Sequence, residues 1–308
     1  MSAMNSEKRR LVEANLFPYS RPSVEPWDEF KWHPKGTNQC MTDKTHSSQA
    51  LAIDVFGTLK MVNQQNRDAI LDSVAKQIGL PAGGPWKIEL EWTDPDNQIK
   101  EPRPSQIDAM ARSPQCLIFF ECKFTEDDGG QCSQTKPLSE GPNKGVIQCN
   151  GNHELQTNSI NRVAARCALS GKKIRYWEVI PKLFDYRNDE DYTPCPFAGP
   201  WYQWMRNLTC CWLIAQQEQL TPAFVITYAN GPGLPMAEKI AGKKSEEWTK
   251  FTMQLRKDAM CFHTTTFQQL LKTAELAVQS VQGDVQVWKD LEAWVEDKVT
   301  KVCKARRV

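Results

Sequence analysis

The sequence predicts an α/β fold in which a mixed sheet is flanked by helices, and three features carry that prediction. Residues 86–92, WKIELEW, set Trp86, Ile88, Leu90 and Trp92 against Lys87, Glu89 and Glu91, the two-residue period of a half-buried strand with its acids on one face. Two apolar runs, CLIFFECKF at 116–124 and PAFVITYA at 222–229, have the length and content of short strands. Helical spacing lies between and around them, so strands and helices interleave along the chain.

In order, a short helix over Glu7–Asn15 opens the chain, and an extended arm mixing charges with Pro, Trp and Gly runs to residue 45. In HSSQALAIDVFGTLK, Ser47 is a plausible N-cap and Ala50, Ile53 and Phe56 fall at helical spacing. A second helix, Gln64–Ile78, stops near Gly79 and Pro81. After the strand at 86–92 comes a Pro- and charge-rich approach to a short strand over Ser105–Ala109, then the strand at 116–124. Residues 125–175 show little hydrophobic pattern and read as an insertion, and 174–186 (IRYWEVIPKLFDY) reads as strand-like or helical. WYQWMRNLTCCWLIAQQ, from Trp201, has the apolar density of a buried helix. The last strand stops at Asn230-Gly231-Pro232-Gly233. Helices follow around Ser245–Asp258, Thr266–Gln279 and Asp284–Cys303. The domain reading is an arm (1–45), a core (46–232, insertion at 125–200) and a helical C-terminal region (233–308) packed on that core.

Composition narrows the class. A chain of 308 residues can bury a substantial core, and 24% charged residues is ordinary for a globular protein. The net charge of +1 announces neither nucleic acid nor membrane. No apolar run approaches the roughly 20 residues of a membrane span, and the first residues lack the apolar stretch of a secretory signal. Eleven cysteines, an odd number, favour reduced thiols or metal ligands over a disulfide framework. A cytoplasmic setting is expected.

The chemistry concentrates in QIDAMARSPQCLIFFECKF, residues 106–124. Glu121 and Lys123 share one face of their strand, with Cys122 opposite. If the preceding strand pairs beside it, Asp108 reaches the same spot. Two carboxylates suit Mg²⁺ or Mn²⁺, which take one or two carboxylates plus waters and phosphate oxygens. A lysine beside them can orient water or neutralise a phosphate. The bland alternative is an exposed acid pair with a strand-terminal salt bridge, worth under ~1 kcal/mol. Glu126, Asp127 and Asp128, just beyond, read as a solvated turn.

This arrangement resembles the PD-(D/E)XK superfamily of restriction-endonuclease-like nucleases, and the element order resembles their αβββαβ core. Within it, the chain is similar to a restriction-endonuclease-like family of bacterial proteins. The resemblance rests on HSSQALAIDVFGTL, IELEW, SQIDAM, FFECKFTE and PWYQWMRNL, spread over residues 46–210. It implies Asp108 and Glu121 as metal ligands, the Cys122 backbone carbonyl as a further ligand and Lys123 as the catalytic lysine. Glu91 is implied as an additional acid facing the site, and Gln203 as a residue approaching it. Many members carry a metal-binding Glu on the first core helix, where this chain offers Gln49 and Asp54; Glu91 is weighted above Asp54. Ile107, not Pro, precedes the first aspartate. The function implied is Mg²⁺- or Mn²⁺-dependent hydrolysis of DNA, with RNA, a second copy of the chain or a partner protein left open. The alternative is a non-catalytic nucleic-acid-binding or assembly module on the same fold.

The remaining cysteines carry a second expectation. Cys132, Cys149 and Cys195, with Cys210 or Cys211, could clamp the insertion around zinc or an iron–sulfur cluster, as widely spaced cysteines do in some of these nucleases. No C-x-x-C pair is present, and small buried hydrophobes are the competing reading. Cys116 and Cys122 read as core. His33, His46, His153 and His263 show no ligand spacing, and His46 reads as helping to begin the first core helix. Cations for a nucleic-acid backbone are grouped at Arg162, Arg166, Lys172, Lys173 and Arg175, at Lys239, Lys243 and Lys244, and at Lys301, Lys304, Arg306 and Arg307. Trp177, Trp201 and Trp204 are candidates for stacking on bases.

Overall fold

The computed structural model describes residues 4–33, 40–126, 128–142, 144–149, 167–185, 195–243, 245–257, 259 and 261–306. His153, Arg162, Arg166, Lys244, Arg307 and Asp127 lie outside the described residues.

Helix α1 (Ser6–Ala14) is capped by Asn5, whose side chain accepts from the Lys8 amide. Ser47 caps α2 (Ser48–Ala52) by accepting from Ala50, as its position predicts. That helix continues through a π-helical turn (Ile53–Gly57) into α3 (Thr58–Met61), and α4 (Gln64–Gln77) follows under an Asn63 cap. Then come β1 (Lys87–Thr93), β2 (Gln106–Arg112) and β3 (Cys116–Lys123). Two short helices, α5 (Ala168–Gly171) and α6 (Tyr176–Leu183), belong to the insertion, so the ambiguous segment around 174–186 resolves as helical. The long helix α7 (Tyr202–Glu218) leads into β4 (Thr221–Tyr228). After α8 (Pro235–Ala241) and α9 (Ser245–Thr252), the chain forms β5 (Phe262–Thr266), then α10 (Phe267–Ser280) and α11 (Gln286–Ala305). The fifth strand sits in a region the periodicity assigns wholly to helices; FHTTT is too short and too mixed to show a two-residue period by itself.

The five strands form one sheet in sequential order, β1-β2-β3-β4-β5. The first three are antiparallel neighbours, while β3, β4 and β5 run parallel. A parallel connection needs a long crossover, which α7 provides between β3 and β4. Every residue of β3 is buried, as a central strand covered on both faces requires. Cys116, Ile118, Phe120 and Cys122 face a core shared with α4, α10 and α11. Leu117 and Phe119 face the other core, with α6 and α7. A third, smaller core joins Val12, Leu16, Trp27 and Trp32 of the N-terminal segment to Ala50 and Ile53.

One residue breaks the alternation of β1. Glu91 has a positive φ of 50°, a conformation uncommon for any non-glycine residue and costly enough to need support. Before it, Ile88 packs in the first core. After it, the Trp92 ring meets Phe119 of the opposite core, at 5.3 Å between centroids. The two acids of this strand therefore part company: Glu89 is exposed, and Glu91 is buried.

Candidate active site

The register aligns three acids in one row. Leu90 pairs with Ala109 and Trp92 with Ile107, so Glu91 lies opposite Asp108. Ala109 pairs with Phe120, so the next position in register sets Asp108 opposite Glu121. Asp108 Oδ2 accepts the Cys122 amide hydrogen at 2.7 Å. A residue's N–H and C=O point to the same side of a strand, so the Cys122 carbonyl also lies toward β2 and Asp108.

Lys123 comes to the same place from two residues further along β3. Its ammonium is 2.8 Å from Glu121 Oε1 and donates to Gln203 Oε1 at 3.0 Å. Glu121 Oε2 accepts from Asn207 Nδ2 at 2.8 Å. Gln203 and Asn207 are four residues apart on α7 and so share a face. That face is placed by the loop after β3: the Gly129 carbonyl accepts from the Gln203 amide at 2.6 Å, and the Gly130 carbonyl from Tyr202 at 3.1 Å. A Cβ on Gly129 would stand 2.9 Å from the Trp204 ring, so only glycine lets this loop lie against the helix start.

These side chains open onto a cleft of about 460 Å³ bordered by Asp108, Glu121, Lys123, Glu126, Gln203 and Arg206. Burial first, then the charges of Glu121 and Glu91, push the Asp108 carboxyl well above the usual carboxylate range, against the Cys122 N–H bond and the Lys123 charge. Burial works against the Lys123 ammonium, but Glu121, Glu126 and Asp108 outweigh it and hold the lysine protonated beyond its ordinary range. Burial raises Glu126, and Lys123 with hydrogen bonds from Ser48 and Phe124 more than reverses that. Acids outnumber the lysine, and the excess is felt at Asp108, whose carboxyl holds its proton more tightly. A hard divalent cation fits this donor set: two carboxylates facing each other across neighbouring strands, beside a backbone carbonyl.

Most of the residues singled out from the sequence converge: Asp108, Glu121, Cys122, Lys123 and Gln203 all border the cleft. Glu91 stands one shell back, its oxygens accepting from Gln49 at 2.6 Å and Gln106 at 2.7 Å and lying 3.0 Å from His33 Nε2. Asp54 is elsewhere, paired with Lys298 at 2.6 Å. Glu126 is exposed just past the strand, as a solvated turn predicts, and it also borders the cleft and accepts from Ser48 at 2.6 Å. Asn207, Arg206, His33 and His46 were missed. Asn207 had a signal, since PWYQWMRNL places Gln203, Arg206 and Asn207 at helical spacing on an otherwise apolar helix. His33 had none, because it arrives from the N-terminal segment, whereas His46 opens HSSQALAIDVFGTL and was read only as helping to begin the first core helix.

Trp201 and Trp204 are engaged inside the second core with Phe251, and Trp177 packs on Phe197, so all three serve packing. Of the proposed metal-binding cysteines, Cys132, Cys149 and Cys195 border one cavity together with Cys167. Cys210 does not: it is buried on α7 in the second core, as is Cys211, whose thiol faces the Ala223 carbonyl. No helix among the described residues is long and apolar enough to cross a membrane.

A family model described as Restriction Endonuclease associating with ARP matches residues 4–292. No curated protein and no solved structure matches the chain.

Proposed function

Since the chain belongs to the family Restriction Endonuclease associating with ARP, we propose that it is a PD-(D/E)XK-type nuclease hydrolysing DNA phosphodiester bonds with Mg²⁺ or Mn²⁺. The order of helix, three strands, long helix and strand supports that core. The observation that carries the reading is the convergence of Asp108, Glu121, Lys123 and Gln203 on one cleft. Asp108 and Glu121 would hold the cation with the Cys122 carbonyl, and Glu91 would add charge from behind. When bound, such an ion acidifies water and stabilises negative charge on a phosphoryl oxygen.

The chain's own residues do the rest. Lys123, fixed by Glu121 and Gln203, presents a permanent positive charge to a phosphate oxygen entering the cleft and can orient the attacking water. Asn207 keeps Glu121 from rotating away from the cleft. Arg206, on the cleft wall, offers a second cation for the phosphate backbone. His33, Gln49 and Gln106 hold the Glu91 carboxylate, which fixes it behind Asp108. The family's description links it to ARP, and a partner of that name belongs to the proposal.

The test is incubation of the purified protein with supercoiled plasmid and with short single-stranded DNA, in Mg²⁺, Mn²⁺ or EDTA, beside Lys123→Ala. Cutting that needs the cation and disappears in the variant is expected. Cutting that persists in EDTA or in folded Lys123→Ala would overturn the site assignment. Mg²⁺ binding without cleavage of DNA or RNA would favour a non-catalytic binding module.

A further inference from the structure

The described residues of the insertion after β3 are short of regular structure. Among them are a 3-10 turn (Ser133–Thr135), α5, α6 and a 3-10 turn (Pro196–Ala198). Four of the insertion's cysteines nevertheless come to one cavity. Cys132 precedes the first turn, Cys149 follows a stretch of irregular chain, Cys167 caps α5 and Cys195 precedes the last turn. All four border a single cavity of about 20 Å³, room for roughly one water-sized sphere.

The cavity's other walls are largely apolar, with Tyr176, Trp177, Phe197 and Met205 among them, so the thiols are its principal soft donors. All four are thiols, not disulfides. Burial, with Cys167 and Cys149 nearby, pushes the Cys132 thiol up to about 12. Burial, with Cys167 and Cys132 nearby, does the same to Cys195, also to about 12. The thiols therefore lie within electrostatic reach of one another. Three of them also differ from the protein's core cysteines, while Cys149 is buried like those. Cys116, Cys122, Cys210 and Cys211 are buried in strands or α7, whereas Cys132, Cys167 and Cys195 are only half-buried, as ligands at the rim of a small site would be. The first two segments are already knit: the Cys149 amide donates to the Gln134 carbonyl at 2.9 Å, and Lys172 donates to the side chains of both Gln134 and Gln148.

We propose that Cys132, Cys149, Cys167 and Cys195 form a structural tetrathiolate zinc site that clamps the insertion onto α7. Among the described residues no group of three or more His, Cys, Asp or Glu side chains is placed so that it could hold a metal ion as it stands, so binding requires the sulfurs to move inward. Four S–H bonds would release their protons to solvent and four zinc–sulfur bonds would form, with no change of oxidation state. Cavity size favours one ion over a multi-atom cluster. Tyr202 and Met205 also border this cavity, and the same stretch of α7 sends Gln203, Arg206 and Asn207 to the acidic cleft. The clamp would therefore steady that helix, and it stands or falls independently of the nuclease reading.

Metal analysis and absorbance of the purified full chain test it, with Cys167→Ser and Cys210→Ala beside the wild type. Zinc near one per chain, lost in Cys167→Ser and kept in Cys210→Ala, is expected, as are the visible bands of tetrahedral thiolate after Co²⁺ exchange. Folded wild-type protein without zinc, iron with sulfur-to-iron absorbance, or full zinc in Cys167→Ser would each overturn it. If Cys167→Ser does not fold, mapped alkylation of the wild type decides. Protection of the four cysteines that a chelator abolishes sustains the proposal; unchanged reactivity overturns it.

Discussion

Among the described residues, two buried lysine–carboxylate pairs make an instructive contrast. Lys298 of α11 and Asp54 of the π-helical turn meet at 2.6 Å, and Asp54 also accepts from the Phe17 amide at 2.6 Å and the Trp294 indole at 2.9 Å. One positive charge meets one negative charge, every acceptor is used, and three distant parts of the chain are tied together. Lys123 and Glu121 are as close to each other and nearly as buried. There, however, one lysine faces several carboxylates, and the group opens onto a cleft. Burial with a partner is thus a property of both; uncompensated charge with access marks only the second. A charge-balanced, closed pair holds structure, whereas an unbalanced, open one suits the cation and phosphate binding proposed for this cleft.

Breaking each pair should expose that difference. Lys298→Ala leaves Asp54 buried without its counter-charge and should cost about 3–5 kcal/mol of stability, read as a lower urea midpoint, with any cleavage per folded molecule unchanged. Lys123→Ala should do the reverse. Cleavage should fall by roughly 10²–10³-fold, about 2.7–4 kcal/mol on the barrier, while stability drops less than in Lys298→Ala because water can enter the cleft. Equal loss of stability in both variants would erase the contrast.

The Asp108 charge gives a subtler test with a definite sign. Its folded-state pKa is raised, so the unfolded chain gives up that proton more readily. Ionised Asp108 therefore costs stability as pH rises from about 3.9, the unfolded value, through the folded one. In a chelator at neutral pH, Asp108→Asn should melt above the wild type, with the gap closing as pH falls toward 4. Added Mg²⁺ should raise the melting temperature of the wild type and leave the variant unmoved. Lower stability of Asp108→Asn at neutral pH would instead mark this acid as a structural partner. The smallest effect belongs to Gln203→Ala, which removes one hydrogen bond from Lys123. A fall in cleavage of about tenfold, near 1.4 kcal/mol, is expected, with the pH profile unchanged.

The cleft was unevenly legible. Glu121 and Lys123 could be set on one face from the strand period alone, because that period is fixed by covalent geometry. Asp108 needed only the added assumption that its strand pairs alongside. Glu91 was read as facing the site, but its burial depends on a positive φ that residue types do not announce. Asp54, on the first core helix, looked like a possible ligand until its partner appeared more than two hundred residues away in α11. Cys210 was grouped with the insertion cysteines by spacing, and helix direction took it elsewhere.

By itself the sequence determined the alternation that sets Glu121 beside Lys123, the Ser47 cap, and the apolar runs of the central strands, since these depend on periods and caps within a few residues. Tertiary structure decided the row of Glu91, Asp108 and Glu121 across three strands, the addition of β5, the arrival of His33 behind Glu91, and the meeting of four cysteines at one cavity. Those facts depend on register and on contacts between residues far apart in the chain, where long-range packing rather than local period selects the partner.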